Sequence, residues 1–134
     1  MPAILNTDNQ QVGKKIGLFR PLFLLLLSGL LTGPVAGQAK TFVQRFRPMA
    51  DSLSAEYGIP ASVILGVAIV ESGSGTSRNC KLLNNYFGIV GKNNLLKTKG
   101  IRSRYKQYPD ATASFVDFCK LLARKKYYKK LKGN

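Results

Sequence analysis

Glu71 is the only carboxylate in the 53 residues between Glu56 and Asp110, and it closes an apolar run from Val63 to Val70. An ionised carboxylate against such a face loses hydration, so its pKa rises and the protonated acid persists near neutral pH. A carboxylic acid held protonated at the edge of a core is suited to protonating the leaving oxygen of a glycosidic bond. A solvated glutamate in the last turn of an ordinary helix is the plainer alternative. The chain contains no His. That excludes serine and cysteine nucleophiles with a His base, and His-ligated zinc. Two cysteines cannot complete a structural zinc site, so neither metal nor cofactor is expected. Chemistry must run on carboxylates, hydroxyls and tyrosines.

The elements that position Glu71 follow from periodicity. Phe42 and Phe46 sit four apart, and Pro48 should kink or restart the helix that carries them. Met49, Leu53 and Tyr57 continue a stripe that ends at Gly58, a helix cap. Pro60 suits the first position of a second helix. That helix is apolar at nearly every position, which predicts burial most of the way round, with Gly66 admitting a close neighbour. The Ser72–Ser77 Gly/Ser turn then stops it, leaving Glu71 at the rim of the core. Ile101, Ser103 and Tyr105 alternate with Arg102, Arg104 and Lys106, the pattern of a half-exposed strand pairing in a hairpin from Ile89. Asp110 is placed to cap a last helix bearing Phe115, Phe118, Leu121 and Leu122.

The 134 residues suffice for one small domain. Lys14, Lys15 and Arg20 precede a short apolar run from Leu22 to Leu31, and small residues follow at Ala36, Gly37 and Ala39. This is the layout of a signal peptide over residues 1–39, with the domain over 40–134. A membrane anchor is the alternative, but the run falls well short of the roughly 20 apolar residues a span needs. Export to the periplasm or the extracellular envelope is therefore expected. Cleavage after Ala39 removes three basic residues and Asp8, leaving 95 residues with a net charge of +13. Such a charge attracts polyanions. Export ranks nucleic acid last among them, and no nucleic-acid motif is present. The run Arg124, Lys125, Lys126, Lys129, Lys130 and Lys132 is the densest basic patch, suited to an anionic envelope surface or simply a solvated face. Cys80 and Cys119 read first as a disulfide in an exported chain, closing a loop worth roughly 3–4 kcal/mol. Two buried thiols are the alternative.

Three ordered blocks carry a resemblance over residues 42–128. The first runs from Tyr57-Gly58-Ile59-Pro60 through Ala68-Ile69-Val70-Glu71-Ser72-Gly73 to Ser77. The second is Asn84-Asn85-Tyr86-Phe87-Gly88-Ile89. The third is Tyr105-Lys106-Gln107-Tyr108, with Ser114 and Asp117 beyond. Together they resemble the bacterial glucosaminidases, the endo-β-N-acetylglucosaminidases of glycoside hydrolase family seventy-three, which include the muramidase-like domain of flagellar rod assembly proteins. The resemblance implies an α+β, mostly helical, lysozyme-like domain with a small β-hairpin lobe. It implies peptidoglycan glycan strands as substrate, cut between N-acetylglucosamine and N-acetylmuramic acid by a chain expected to be a monomer. Glu71 matches the general acid. Tyr86 and Tyr108 match aromatic positions lining the groove, although Tyr86 suits the core equally. Phe87 shapes the turn more than it touches sugar, and Ser72 either bonds near the acid or caps the helix.

The chain departs from the family pattern in two places. Members place a second acid on the hairpin, where Leu95-Leu96-Lys97-Thr98-Lys99-Gly100-Ile101-Arg102 contains none, and Ser74 stands where a Trp is usual. Either the substrate's own N-acetyl group serves as nucleophile, needing one protein carboxylate, or the domain binds glycan without cutting it. A non-catalytic cationic wall-binding domain and a lytic transglycosylase are the alternatives to hydrolysis.

Overall fold

The computed structural model describes residues 33–125, so the apolar run of the expected signal peptide and most of the basic run lie outside the described residues. Five helices follow in chain order: α1 (Gly33–Tyr57), α2 (Ala61–Ser72), α3 (Arg78–Leu83), α4 (Leu95–Lys99) and α5 (Ala111–Ala123). Helix α1 packs against both α2 and α5. No described helix is long and apolar enough to cross a membrane.

Helix α1 runs unbroken through Pro48, so the expected restart does not occur. Proline removes one backbone donor and crowds the preceding turn. Phe42, Phe46, Ala50 and Leu53 nevertheless stay in register on one face and are all buried. That continuous apolar stripe outweighs the one lost bond. Gly58 (φ 69°) ends the helix in the left-handed region, its N–H donating to the Ser54 carbonyl at 2.8 Å. Pro60 precedes α2 by one residue and accepts from the Val63 and Ile64 amides.

Helix α2 buries one face, not its whole circumference. Ile64, Leu65, Ala68 and Glu71 point inward, whereas Val63 is 42% exposed. Gly66 is exposed too, with open space where a side chain would sit, so it admits no close neighbour. A helix lying on α1 in a domain this small has one partner face, whatever its overall hydropathy.

The core is aromatic. Phe46 stacks on Phe115 (centroids 5.1 Å apart) and Phe87 stacks on Phe118 (4.2 Å, interplanar 5°), while the Phe87 and Phe115 rings meet edge to face. Tyr86 packs against Phe42, Phe46 and Phe115. Ring pairs of this kind add about 0.5–1.5 kcal/mol each beyond their buried area. Asp110 caps α5 as its position implied, accepting from the Ala113 amide at 2.8 Å.

The hairpin is reduced to a single antiparallel bridge, Val90 to Tyr105, flanked by Gly91 N–H to Arg104 O and Lys106 N–H to Ile89 O. Among the described residues the domain is therefore mostly helical, with almost no strand. Side chains replace the ladder. Asn85 Nδ2 donates to the Ile89 and Lys106 carbonyls while its Oδ1 accepts from the Ile89 amide. Asn93 Nδ2 reaches the Ser103 and Tyr105 carbonyls. With the backbone so occupied, residues 95–99 close into α4 instead of extending a strand. Cys80 and Cys119 are buried free thiols and form no disulfide. Cys80 shares a hydrogen bond with the Tyr86 side chain. Burial raises both thiol pKa values, Cys119 to about 11, which keeps them protonated.

Gly91 and Gly66 give opposite expectations. A Cβ on Gly91 would meet the Lys106 Cβ at 2.8 Å, close to a backbone that cannot easily move. Gly91→Ala should therefore destabilise the domain by about 1–3 kcal/mol. Gly66→Ala, in open space on a helix, should stabilise it by about 0.4–1 kcal/mol. Urea unfolding of the two variants measures both signs.

Candidate active site

Glu71 lies in the last turn of α2 with 6% of its surface exposed. Among the described residues its Oε2 is the one buried side-chain polar atom without a hydrogen-bond partner. An unpartnered buried oxygen disfavours the charged form, and burial pushes the carboxyl up to about 7. Among the described residues no cationic neighbour offsets that shift. The group is therefore a reservoir for one proton near neutral pH.

The turn after Glu71 is held by its own geometry. Gly73 (φ 55°), Ser74 (φ 55°) and Gly75 (φ 83°) are three successive left-handed residues. The Gly73 amide closes α2 on the Ile69 carbonyl. Gly75 lies over the aromatic core: a Cβ there would touch the Phe42 ring at 3.6 Å and Tyr86 at 3.8 Å. Ser72 is fully buried; its hydroxyl donates to the Ala68 carbonyl and accepts from the Gly75 amide at 2.9 Å. Both of its hydrogen bonds are internal, so it shapes the turn behind the acid. Ser77 then starts α3, accepting from the Cys80 amide.

The aromatic candidates are mainly structural. Phe87 is fully buried between Phe115 and Phe118. Tyr86 is 7% exposed, and burial pushes its hydroxyl up to about 12, aided by its bond to Cys80. Its amide donates to Ser114 Oγ at 3.0 Å. Tyr108 is 5% exposed and donates to Asp117 Oδ2 at 2.6 Å, while Lys106 Nζ donates to the same oxygen at 2.8 Å. Burial alone would raise Asp117; those two donors outweigh it and hold the carboxyl below the usual aspartate range. Tyr108 is raised in turn by burial and by the Asp117 charge.

The carboxylates therefore divide by role. Asp117 is a fixed anion clamping the 105–108 segment to α5, Asp110 caps that helix, and Asp51 pairs with Arg47 at 3.8 Å on the surface. Glu71 alone is buried without a partner. The Asp117–Tyr108–Lys106 cluster escaped the sequence reading; its one signal was a lone acid on the core side of an amphipathic helix.

Three surface cavities flank these elements. One of about 310 Å³ lies between α1 and α2 and includes Val43, Leu65 and Ile69. Two adjoining ones, of about 260 and 720 Å³, share Arg102, Ser103 and Arg104. Glu71 lines none of these three.

A family model described as "Glucosaminidase: Mannosyl-glycoprotein endo-beta-N-acetylglucosaminidase" matches residues 47–134, which include Glu71 and every aromatic candidate. No curated protein and no solved structure matches the chain.

The shifted carboxyl makes stability depend on pH. Its folded pKa, about 7, exceeds the unfolded value near 4.5. The folded state therefore holds the extra proton, and stability is full below pH 4.5 and declines as pH rises through 7. The loss is about 3 kcal/mol at most. Glu71→Gln cannot titrate, so the difference in unfolding free energy between wild type and variant should shift over that window. Urea unfolding at pH 4 and pH 8 measures it.

Proposed function

This chain belongs to the glucosaminidase family of glycoside hydrolases, and on that premise we propose that it is an exported peptidoglycan hydrolase cutting the β-1,4 bond between N-acetylglucosamine and N-acetylmuramic acid. The observation that carries the proposal is the buried, unpartnered Glu71 carboxyl with its pKa raised to about 7. Such a group is half protonated at neutral pH and can give its proton to a glycosidic oxygen without first breaking an internal hydrogen bond.

The mechanism needs one protein carboxylate. Glu71 donates its proton to the leaving oxygen as the bond from that oxygen to the anomeric carbon breaks. The carbonyl oxygen of the neighbouring N-acetyl group attacks the anomeric carbon and forms a cyclic oxazolinium. The Glu71 carboxylate, now ionised, takes a proton from water, whose oxygen opens the ring and restores the N-acetyl group. Proton, water and bond balance, and the acid returns to its starting form. Asp117 and Asp110 are engaged by Lys106, Tyr108 and the α5 amide, which leaves the second step to the substrate. The glycan lies against the exposed edge of Glu71, beside the Gly73–Gly75 turn, with the edges of Tyr86 and Tyr108 as the sugar contacts that the family resemblance assigns. Export follows from the basic, apolar and small-residue order of the first 39 residues.

Glu71→Gln keeps the shape and removes the transferable proton. Reducing-sugar release from purified cell wall should fall by about 10²–10⁴-fold. In the unmodified chain kcat should fall as pH rises past about 7, where the acid loses its proton. Equal release by both proteins would leave a cationic wall-binding domain as the better account. Anhydro-sugar ends in the digest, read by mass spectrometry, would instead mark a lytic transglycosylase.

A further inference from the structure

Away from Glu71 the surface carries charge without counter-charge. Between Glu71 and Asp110 the chain has eight basic residues and no carboxylate. Three of them, Arg78, Arg102 and Arg104, line the 260 Å³ cavity together with Leu95, Ile101 and Tyr105. The adjoining 720 Å³ cavity shares Arg102, Ser103 and Arg104 and adds Lys92, Asn93 and Leu96. All four cationic residues are exposed. The two ion pairs among the described residues lie elsewhere, at Arg47–Asp51 and Lys106–Asp117.

The backbone presenting these cations is fixed. The Arg104 carbonyl accepts from the Gly91 amide, and Asn93 Nδ2 bonds the carbonyls on either side of Arg104, at Ser103 and Tyr105. The Arg104 guanidinium lies 5.5 Å from the Tyr105 ring centroid, a cation–π arrangement. Between the cations the lining mixes polar Asn79, Asn93 and Ser103 with apolar Ile101, half-buried, and Leu96, 57% exposed.

A purely phosphodiester polymer would make poor use of those apolar residues. Guanidinium forks match carboxylates in bidentate fashion, and the leucine and isoleucine surface between them suits methyl-bearing residues. We infer that this furrow binds the short carboxylate-bearing stem peptides of peptidoglycan, an inference that rests on peptidoglycan being the polymer acted upon. Peptide-bearing strands are then held more firmly than bare glycan.

The test reads binding and breaks no bond. The full chain is titrated with a fluorescent synthetic stem tetrapeptide bearing its free carboxylates, and with the same peptide amidated at every carboxyl. The free-carboxylate form should bind roughly five-fold more tightly or better. The double variant Arg102→Gln/Arg104→Gln should weaken that form roughly three- to ten-fold, as expected for two partly solvated ion pairs, and leave the amidated form unchanged. An unchanged urea midpoint establishes that the variant is folded; should it fail to fold, the single exposed change Arg78→Gln reads the same selective loss at smaller size. Equal affinity for the two peptides overturns the inference, as does a variant that binds both as wild type does. A phosphodiester polymer bound as tightly as the peptide and equally weakened by the variant overturns it too, in favour of general polyanion attraction. The hydrolase proposal fails separately: a chain that discriminates the peptides but releases no reducing sugar keeps the furrow and loses the catalysis.

Discussion

The domain is organised around a carboxyl buried without a partner. A buried polar atom lacking a hydrogen bond costs free energy that nothing local returns, and the protein accepts that cost at one oxygen of Glu71. The surroundings make the arrangement tolerable. Glu71 ends a helix whose inner face is supported by α1, and the turn beyond it is fixed by three left-handed residues and the buried Ser72 hydroxyl. The Phe42 and Tyr86 rings lie against that turn at Gly75. Burial of the carboxyl keeps the proton in place.

The same logic in reverse explains Asp117. It is also partly buried, yet two donors converge on one of its oxygens and hold it ionised. The difference between a fixed anion and a proton reservoir is therefore two hydrogen bonds, nearby positive charge from Lys106 and Arg124, and shallower burial. Asp117 spends its charge on architecture, tying the 105–108 segment to α5. The Asn85 and Asn93 side chains do comparable work with neutral groups. A domain with one isolated bridge in place of a sheet depends on such side-chain clamps, because the backbone provides few long-range bonds of its own.

Much of this was legible in the sequence because it is written in short-range chemistry. The Phe42–Phe46 spacing, the Gly58 stop, the Asp110 cap and the position of Glu71 at the end of an apolar run each follow from rules acting over a few residues. What was not legible depends on partners distant in the chain. The alternation at Ile101–Lys106 has a strand's period, yet whether it pairs over one residue or six is decided by Asn93, Gly91 and the close approach of Lys106. Helix α2 is apolar all round, and hydropathy cannot reveal that only α1 and the core behind it offer a face to bury. The two cysteines are even in number, but parity says nothing of geometry, and both are buried free thiols. Tyr86 and Tyr108, expected to line a sugar groove, are almost wholly enclosed, Tyr108 with its hydroxyl committed to Asp117.

The distribution of charge bears on the chemistry as directly as the fold does. A strongly basic protein tends to ionise its own carboxylates, because each nearby cation favours the charged form. Asp117 shows that effect, with Lys106 and Arg124 both lowering it. Glu71 escapes it: burial alone moves its pKa, and no Lys or Arg contributes. Its buried neighbours on α2 are Ile64, Leu65 and Ala68, and the turn that follows is made of Ser and Gly. Three cations of the following segment, Arg78, Arg102 and Arg104, line a surface cavity instead. Segregation lets one small domain use both properties, an attractive positive surface and a neutral acid, which would cancel if they were intermixed. A lysine introduced beside the Gly73–Gly75 turn would leave the total attraction to polyanions nearly unchanged while pulling the proton off Glu71. Position of charge, not its sum, therefore limits what this surface can evolve without losing the acid.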